Sequence, residues 1–210
     1  SRVAGTDVSS YQIALDMTSE VKVYFEKKPV VNVTDNAAGK VTLQIGSSTI
    51  NSGDFAEFGD DVQVNIVPNA GFIVDTVTVN GSDVTPVLHT SGDIRYYTIE
   101  DITHNTEIAV TYKAKPTVSF NSEDGKFDIT VIATKDFAEG EIASGSYVDF
   151  GSDLNGTVIP AAGYVVEAVT VNGTAIAFVT GTDSDMVTFA VNDVQADTEI
   201  VVSYKAKPIV

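Results

Sequence analysis

The chain repeats itself at a spacing of 92 residues, and that repetition limits what it can fold into. Tyr-Lys-Ala-Lys-Pro runs from Tyr112 to Pro116 and again from Tyr204 to Pro208. Val-Thr-Val-Asn-Gly runs from Val77 to Gly81 and again from Val169 to Gly173. Laid over each other without a gap, residues 52–116 and 144–208 are identical at 27 of 65 positions. Many other positions differ conservatively, as in Phe55/Tyr147, Phe72/Tyr164, Ile73/Val165 and Asp75/Glu167. Each period must therefore be able to form the same unit, with shared residues serving shared architecture.

A partial third copy opens the chain. Tyr11-Gln12-Ile13, Val21–Phe25 and Lys28-Pro29 match Tyr97-Thr98-Ile99, Ile108–Tyr112 and Lys115-Pro116. The expected division is a tail of a preceding copy at 1–29 and full copies at 30–116 and 117–208. Residues 209–210 would begin another copy. The opening Ser-Arg-Val-Ala-Gly lacks the basic and apolar segments of a signal peptide, so the chain reads as an excerpt from a longer array. The copies differ most before residues 52 and 144, where variable length marks loops.

The hydrophobic pattern has period two. Val62-Gln63-Val64-Asn65-Ile66 alternates strictly, and Val77-Thr78-Val79 and Ile108–Tyr112 alternate if Ala109 and Thr111 face outward. Val, Ile, Thr, Tyr and Phe dominate these runs, as a pleated surface covered on one face requires. The expected fold class is mainly β, built as tandem small β-sandwich or β-grasp-like repeat domains in an elongated array. Each copy should hold about six short strands. The best helical candidate is Ser52–Gly59, at most two turns.

Asn80-Gly81 and Asn172-Gly173 sit between alternating runs and predict type I′ hairpins, because both turn residues must take positive φ. Asn80-Gly81-Ser82 and Asn172-Gly173-Thr174 also fit a glycosylation acceptor, but the turn accounts for them sufficiently. Asp124-Gly125 predicts another hairpin, matched loosely by Gly39-Lys40. Pro68 and Pro160 open Pro-x-Ala-Gly followed by Phe72 or Tyr164, expected to anchor the core after a tight bend. Pro29 and Pro116 mark interdomain joints: each follows a lysine, and no Gly/Ser tether intervenes, which predicts a short, stiff connection.

Charge excludes several partners. Twelve basic against 29 acidic residues give a net charge of −17, which disfavours nucleic acid and anionic membrane surfaces. No run of 18 apolar residues offers membrane insertion by a helix. Cys is absent, which removes disulfides, thiolate metal sites and a Cys nucleophile. The first full copy has 4 basic and 11 acidic residues and the second 4 and 14, so the lysines near the Pro junctions are half of each copy's cations. They are expected either to guard an exposed sheet edge or to meet the acidic body of the adjoining unit.

No catalytic constellation emerges. His89 aligns with Gly181 and His104 with Ala196, so neither belongs to the shared framework, and both read as solvated loop residues. There is no Gly-x-Ser-x-Gly elbow. Paired carboxylates for glycosidic chemistry would need a cleft that so small a unit does not offer. Asp54, Glu57, Asp60 and Asp61 cluster, but their counterparts are Ser146, Asp149, Ser152 and Asp153; only Glu57/Asp149 and Asp61/Asp153 persist as acids. Asn121–Gly125 is acidic without calcium-loop spacing, so these read as solvated surface rather than a metal site. Phe55, Tyr147, Tyr96, Phe137 and Phe178 are the candidate rings for sugar stacking. The absence of Trp weakens that reading, and most of them are expected in the core. A Lys–Asn isopeptide cross-link cannot be read from the sequence.

The order Gly59-Asp60-Asp61, Pro68, Gly71-Phe72, Asn80-Gly81 and Thr106–Tyr112, with Gly151, Asp153, Pro160, Gly163-Tyr164, Asn172-Gly173 and Thr198–Tyr204 as counterparts, resembles a known class. It is similar to the divergent internalin-type B-repeat family of bacterial surface proteins, over both copies and the opening stub. The resemblance implies a β-grasp-like fold closed by the last strand, and tandem modules in exported proteins. More typical members carry Gly-Trp after the aromatic, where this chain has Asp75-Thr76 and Glu167-Ala168. The expected function is a non-enzymatic spacer, stalk or adhesion scaffold at the bacterial cell surface, monomeric and without cofactors, whose partners are neighbouring modules. The rival expectation is a glycan- or protein-binding accessory module of a secreted protein, with a host protein or polysaccharide as partner.

Overall fold

The structure is a computed structural model describing residues 20, 22, 25–88, 93–121, 125–135, 138–182 and 184–208. The expectations on residues 1–19, on His89, Asp124 and Phe137, and on Ile209-Val210 lie outside these. So does most of the stub at 1–29.

Among the described residues there is no helix and there are twenty strands. The first ten are β1 (Val30–Thr34), β2 (Gly39–Ile45), β3 (Ser48–Ile50), β4 (Asp54–Phe55), β5 (Asp60–Pro68), β6 (Phe72–Val79), β7 (Ser82–Val84), β8 (Val87–Leu88), β9 (Arg95–Ile102) and β10 (Thr106–Ala114). The second ten are β11 (Thr117–Phe120), β12 (Phe127–Lys135), β13 (Ala138–Ile142), β14 (Ser146–Tyr147), β15 (Ser152–Pro160), β16 (Tyr164–Val171), β17 (Thr174–Ile176), β18 (Val179–Thr180), β19 (Val187–Val194) and β20 (Thr198–Ala206).

Two five-stranded sheets form from the first ten strands, in the orders β4-β1-β10-β6-β7 and β3-β2-β5-β9-β8. The second ten repeat both orders, as β14-β11-β20-β16-β17 and β13-β12-β15-β19-β18. All pairings are antiparallel except that the first strand of each half runs parallel to its last, β1 beside β10 and β11 beside β20. Each half is thus sandwich-like, with the last strand central in its sheet. That corrects the edge-guarding reading of the lysines that follow Tyr112 and Tyr204. The count of ten strands instead of six arises from two- and three-residue ladders such as β4 and β8, too short to leave a hydrophobic period.

Alternation dictates which face is buried. Val62, Val64 and Ile66 of β5 are buried, while Gln63 is exposed. They meet Val31, Val77, Ile108 and Val110 from the facing sheet in one core. The second core uses the counterparts Leu154, Val158, Val118, Val169, Ile200 and Val202. Thr106 and Thr198 are buried too, each donating its hydroxyl to a backbone carbonyl two residues back, so their polarity is satisfied.

The turns explain several departures. Ser52–Gly59 forms no helix: Asp54 accepts from the Asn51 amide at 2.8 Å and Asp60 from the Glu57 amide at 2.8 Å. Such side-chain bonds to the backbone compete with helical bonding. Gly39 begins β2 beneath the Tyr112 ring rather than forming the expected turn, which sits at Ala37-Ala38. Phe72 and Tyr164 are half-buried and lie outside the two cores. Tyr164 instead packs edge-on against Tyr204, centroids 5.6 Å apart.

The halves solve one core position differently. Val64 faces Tyr97 across the β5–β9 ladder, and at the same register Gly156 faces Phe189 across β15–β19. Phe189 lies over the glycine and occupies the space a Cβ would need. Gly156→Val should therefore lower stability by about 1–3 kcal/mol through overpacking. Phe189→Ala should cost about 3–5 kcal/mol by opening a cavity. The double variant should cost less than the two single losses combined, as read from denaturant midpoints.

Tyr112 presents a second asymmetry. Its hydroxyl is buried without a hydrogen-bond partner, and its pKa is raised by burial and by the nearby Asp35 charge. The Tyr204 hydroxyl instead accepts from Lys126 at 3.4 Å. Tyr112→Phe is expected to raise stability by about 1 kcal/mol, because it removes an unsatisfied buried group. Tyr204→Phe should give no gain in the same unfolding assay.

Candidate functional site: the joint between the halves

Asn80 at φ 51° and Gly81 at 76° join β6 to β7; Asn172 at 48° and Gly173 at 76° join β16 to β17. Two successive positive φ values match the type I′ form. The asparagine side chains also bridge sheets' strands: the Glu107 amide donates to Asn80 Oδ1 at 2.8 Å, and the Glu199 amide to Asn172 Oδ1 at 2.7 Å. Both residues thus serve the hairpin and its neighbouring strand.

The two persistent acids separate into different tasks. Asp61 accepts from the Asp101 amide and Asp153 from the Asp193 amide, both at 2.9 Å. Asp101 and Asp193 sit at φ 53° and 57°, beside register shifts in β5–β9 and β15–β19. The acids hold a strained bulge, which costs of order 1–3 kcal/mol to maintain. Among the described residues no cluster of three or more His, Asp or Glu is placed to hold a metal ion. Glu57 and Asp149 do something else: they meet the lysines that precede the joint prolines.

Lys28 Nζ lies 2.6 Å from Glu57, and Lys115 Nζ lies 2.7 Å from Asp149. Lys115 also contacts Asp93 at 2.6 Å, so it ties an acid of the first half to an acid of the second. Its side chain is only 15% exposed. Burial pulls the Lys115 pKa down, but the hydrogen bonds to Asp149 and Asp93, with their charges, outweigh this and leave it raised above 10.5. As far as the lysine's own proton is concerned, the contribution is full below the ordinary lysine pKa and is lost as pH rises through the raised value.

Backbone bonding around both prolines is the same. Pro29 O accepts from the Ala56 amide, and Pro116 O from the Val148 amide, each at 2.9 Å. Two residues separate the end of β10 at Ala114 from the start of β11 at Thr117. The Lys115 amide donates to Gly71 O at 2.8 Å. Over this runs a layer of side chains: the Tyr147 ring covers Gly71, where a Cβ would come within 2.7 Å of it. Lys113 Nζ stands 4.1 Å from the centroid of the Phe150 ring. An exposed cation over a ring contributes about 0.5–1 kcal/mol.

Among the stacking candidates, Phe55 and Tyr147 are 57% and 54% exposed, which corrects their expected burial. Tyr147 owes its position to the joint, since it covers a glycine in the other half. Phe178 packs on the second core, and Tyr96 is half-buried. His104 is exposed, with Nδ1 2.9 Å from Thr103 Oγ1. The sequence missed the Lys113–Phe150 and Tyr147–Gly71 contacts. The signal that could have found them was the aromatic-x-acid-Phe run that both copies share, Phe55–Phe58 and Tyr147–Phe150.

A family profile described as the divergent InlB B-repeat domain matches residues 129–208. The match agrees with the resemblance that the motifs of that stretch carry. No curated protein and no solved structure matches the chain significantly.

One difference between the halves generates a pH prediction. The Val30 amide donates to Asn105 Oδ1 at 3.0 Å, whereas the Thr117 amide and hydroxyl donate to Asp197 Oδ1 at 2.8 and 2.9 Å. These bonds hold the Asp197 pKa below 3.8. A depressed carboxylate gives stabilisation that is present above its unfolded pKa and lost as pH falls through the folded one. Acidification below 3.8 should shift and broaden the Thr117 amide resonance while the Val30 resonance, held by an amide side chain, stays put.

Proposed function

We propose that this chain is a tandem-repeat portion of an exported bacterial cell-surface protein, acting as a spacer that holds other modules apart. One observation carries the reading: the first strand of each half runs parallel to its last. The chain enters β1 beside the start of β10, through the Val30–Asn105 bond, and leaves at the far end of β10. Nine residues of β10 at about 3.3 Å each separate entry from exit by roughly 25–30 Å. A unit entered at one end and left at the other lengthens an array with every copy. The Pro joint, the Lys115 ion pairs and the Tyr147 contact favour a restrained connection, and the net charge of −17 favours solubility. The extracellular placement rests on the family of residues 129–208.

Small-angle scattering of the whole chain tests the spacer reading. The expected result is a particle markedly longer than it is wide, unchanged by salt up to the screening range of exposed charges. A compact, near-spherical particle would overturn it. The paired change Tyr147→Ser with Lys115→Met should leave each half folded by circular dichroism yet widen the distribution of particle lengths.

A further inference from the structure

The joint contacts define two complementary faces, and the second half carries one of them complete. In the first half the exit face consists of Gly71, Lys113, Lys115 and Asp93. The next unit covers it with Tyr147 on the glycine, Phe150 under Lys113 and Asp149 on Lys115. The counterparts in the second half are Gly163, Lys205, Lys207 and Asp185. They are arranged alike. The Lys207 amide donates to Gly163 O at 2.8 Å, as Lys115 does to Gly71 O, and Lys207 Nζ pairs with Asp185 as Lys115 does with Asp93.

What differs is the cover. A Cβ on Gly163 would have open space around it, where one on Gly71 would strike the Tyr147 ring. Lys207 is 43% exposed against 15% for Lys115, which has the second carboxylate. We infer that this face of the second half is a docking surface for another unit of the same repeat, one that presents an aromatic-x-acid-Phe loop like Tyr147–Phe150. The ring would lie on Gly163, the acid would complete the Lys207 pair, and the Phe would sit under Lys205. Selectivity follows from the set: a loop lacking the acid leaves Lys207 with one partner, and a loop lacking the ring leaves Gly163 uncovered. The inference stands on the joint geometry and does not depend on the spacer role.

The test uses the full chain with a second copy of residues 117–208 appended directly after Pro208. The protein has no Cys, so cysteines placed two at a time at Ser82, Thr174 and the appended copy of Thr174 carry spin labels across each joint. The expected result is coincident, narrow distance distributions across the first and the new joint. Gly163→Phe, which fills the ring's place, and Lys207→Glu, which repels the acid, should each broaden the new joint's distribution. The first joint should keep its width in both, which also reports that the second half remains folded. A broad distribution at the new joint of the unsubstituted protein would overturn the inference. So would a narrow one that neither substitution alters, since the Pro linkage alone would then set the geometry. Compact scattering with coincident joints would remove the spacer role and leave this docking surface standing.

Discussion

The parallel pairing of first and last strands governs the rest of the architecture. Val31 lies beside Thr106 and Val118 beside Thr198, so each half closes only when segments about 75–80 residues apart meet. Such long-range closure costs loop entropy that grows slowly with length. The buried rows of Val31, Ile108 and Val110, and of Val118, Ile200 and Val202, offset it by hydrophobic burial at about 25 cal/mol per Å². An antiparallel closure would have returned the chain to the end at which it entered. Parallel closure sends it out at the opposite end, and the Lys-Pro pair then has two residues in which to start the next sheet.

With entry and exit fixed in this way, the surface near each end acquires constraints that the rest of the surface lacks. Within the Asp54–Asp61 cluster, the acids that both copies share have structural tasks: Asp61 and Asp153 clamp a bulge, Glu57 and Asp149 meet the joint lysines. The acids of that loop that differ between copies, Asp54 and Asp60 against Ser146 and Ser152, bond within their own turns. A cluster that looked like a candidate cation site therefore divides into joint and turn chemistry.

Much of this was legible because the chain supplies its own comparison. Period-two runs such as Val62–Ile66 announced the buried faces, and Asn80-Gly81 and Asn172-Gly173 announced the hairpins. The expected mainly β class matches the structure. Less legible were features whose signal is not periodic. Strands of two or three residues carry too few side chains to alternate. Phe72 and Tyr164 look like core residues by type, but they fall half-buried at the first position of a strand. Tyr147 looks buried by hydrophobicity, and its place on the surface makes sense only once the joint is known. The lysines after Tyr112 had two competing readings, and only the central place of β10 decides between them.

The contrast between core and joint then says where the repeat tolerates change. At the core, Val64 with Tyr97 in one half becomes Gly156 with Phe189 in the other, a swap of volume between partners that keeps the space filled. At the joint no such exchange has occurred: glycine stays glycine at 71 and 163, Lys-x-Lys-Pro stays intact, and the facing loop keeps ring, acid and Phe. A core pair can compensate privately because both members lie in one unit. A joint pair cannot, since its members belong to successive units and a change in one would have to be matched in the next. Shared geometry at the joint is therefore the stricter constraint on a repeat of this kind, although its individual contacts are weaker than those of the core.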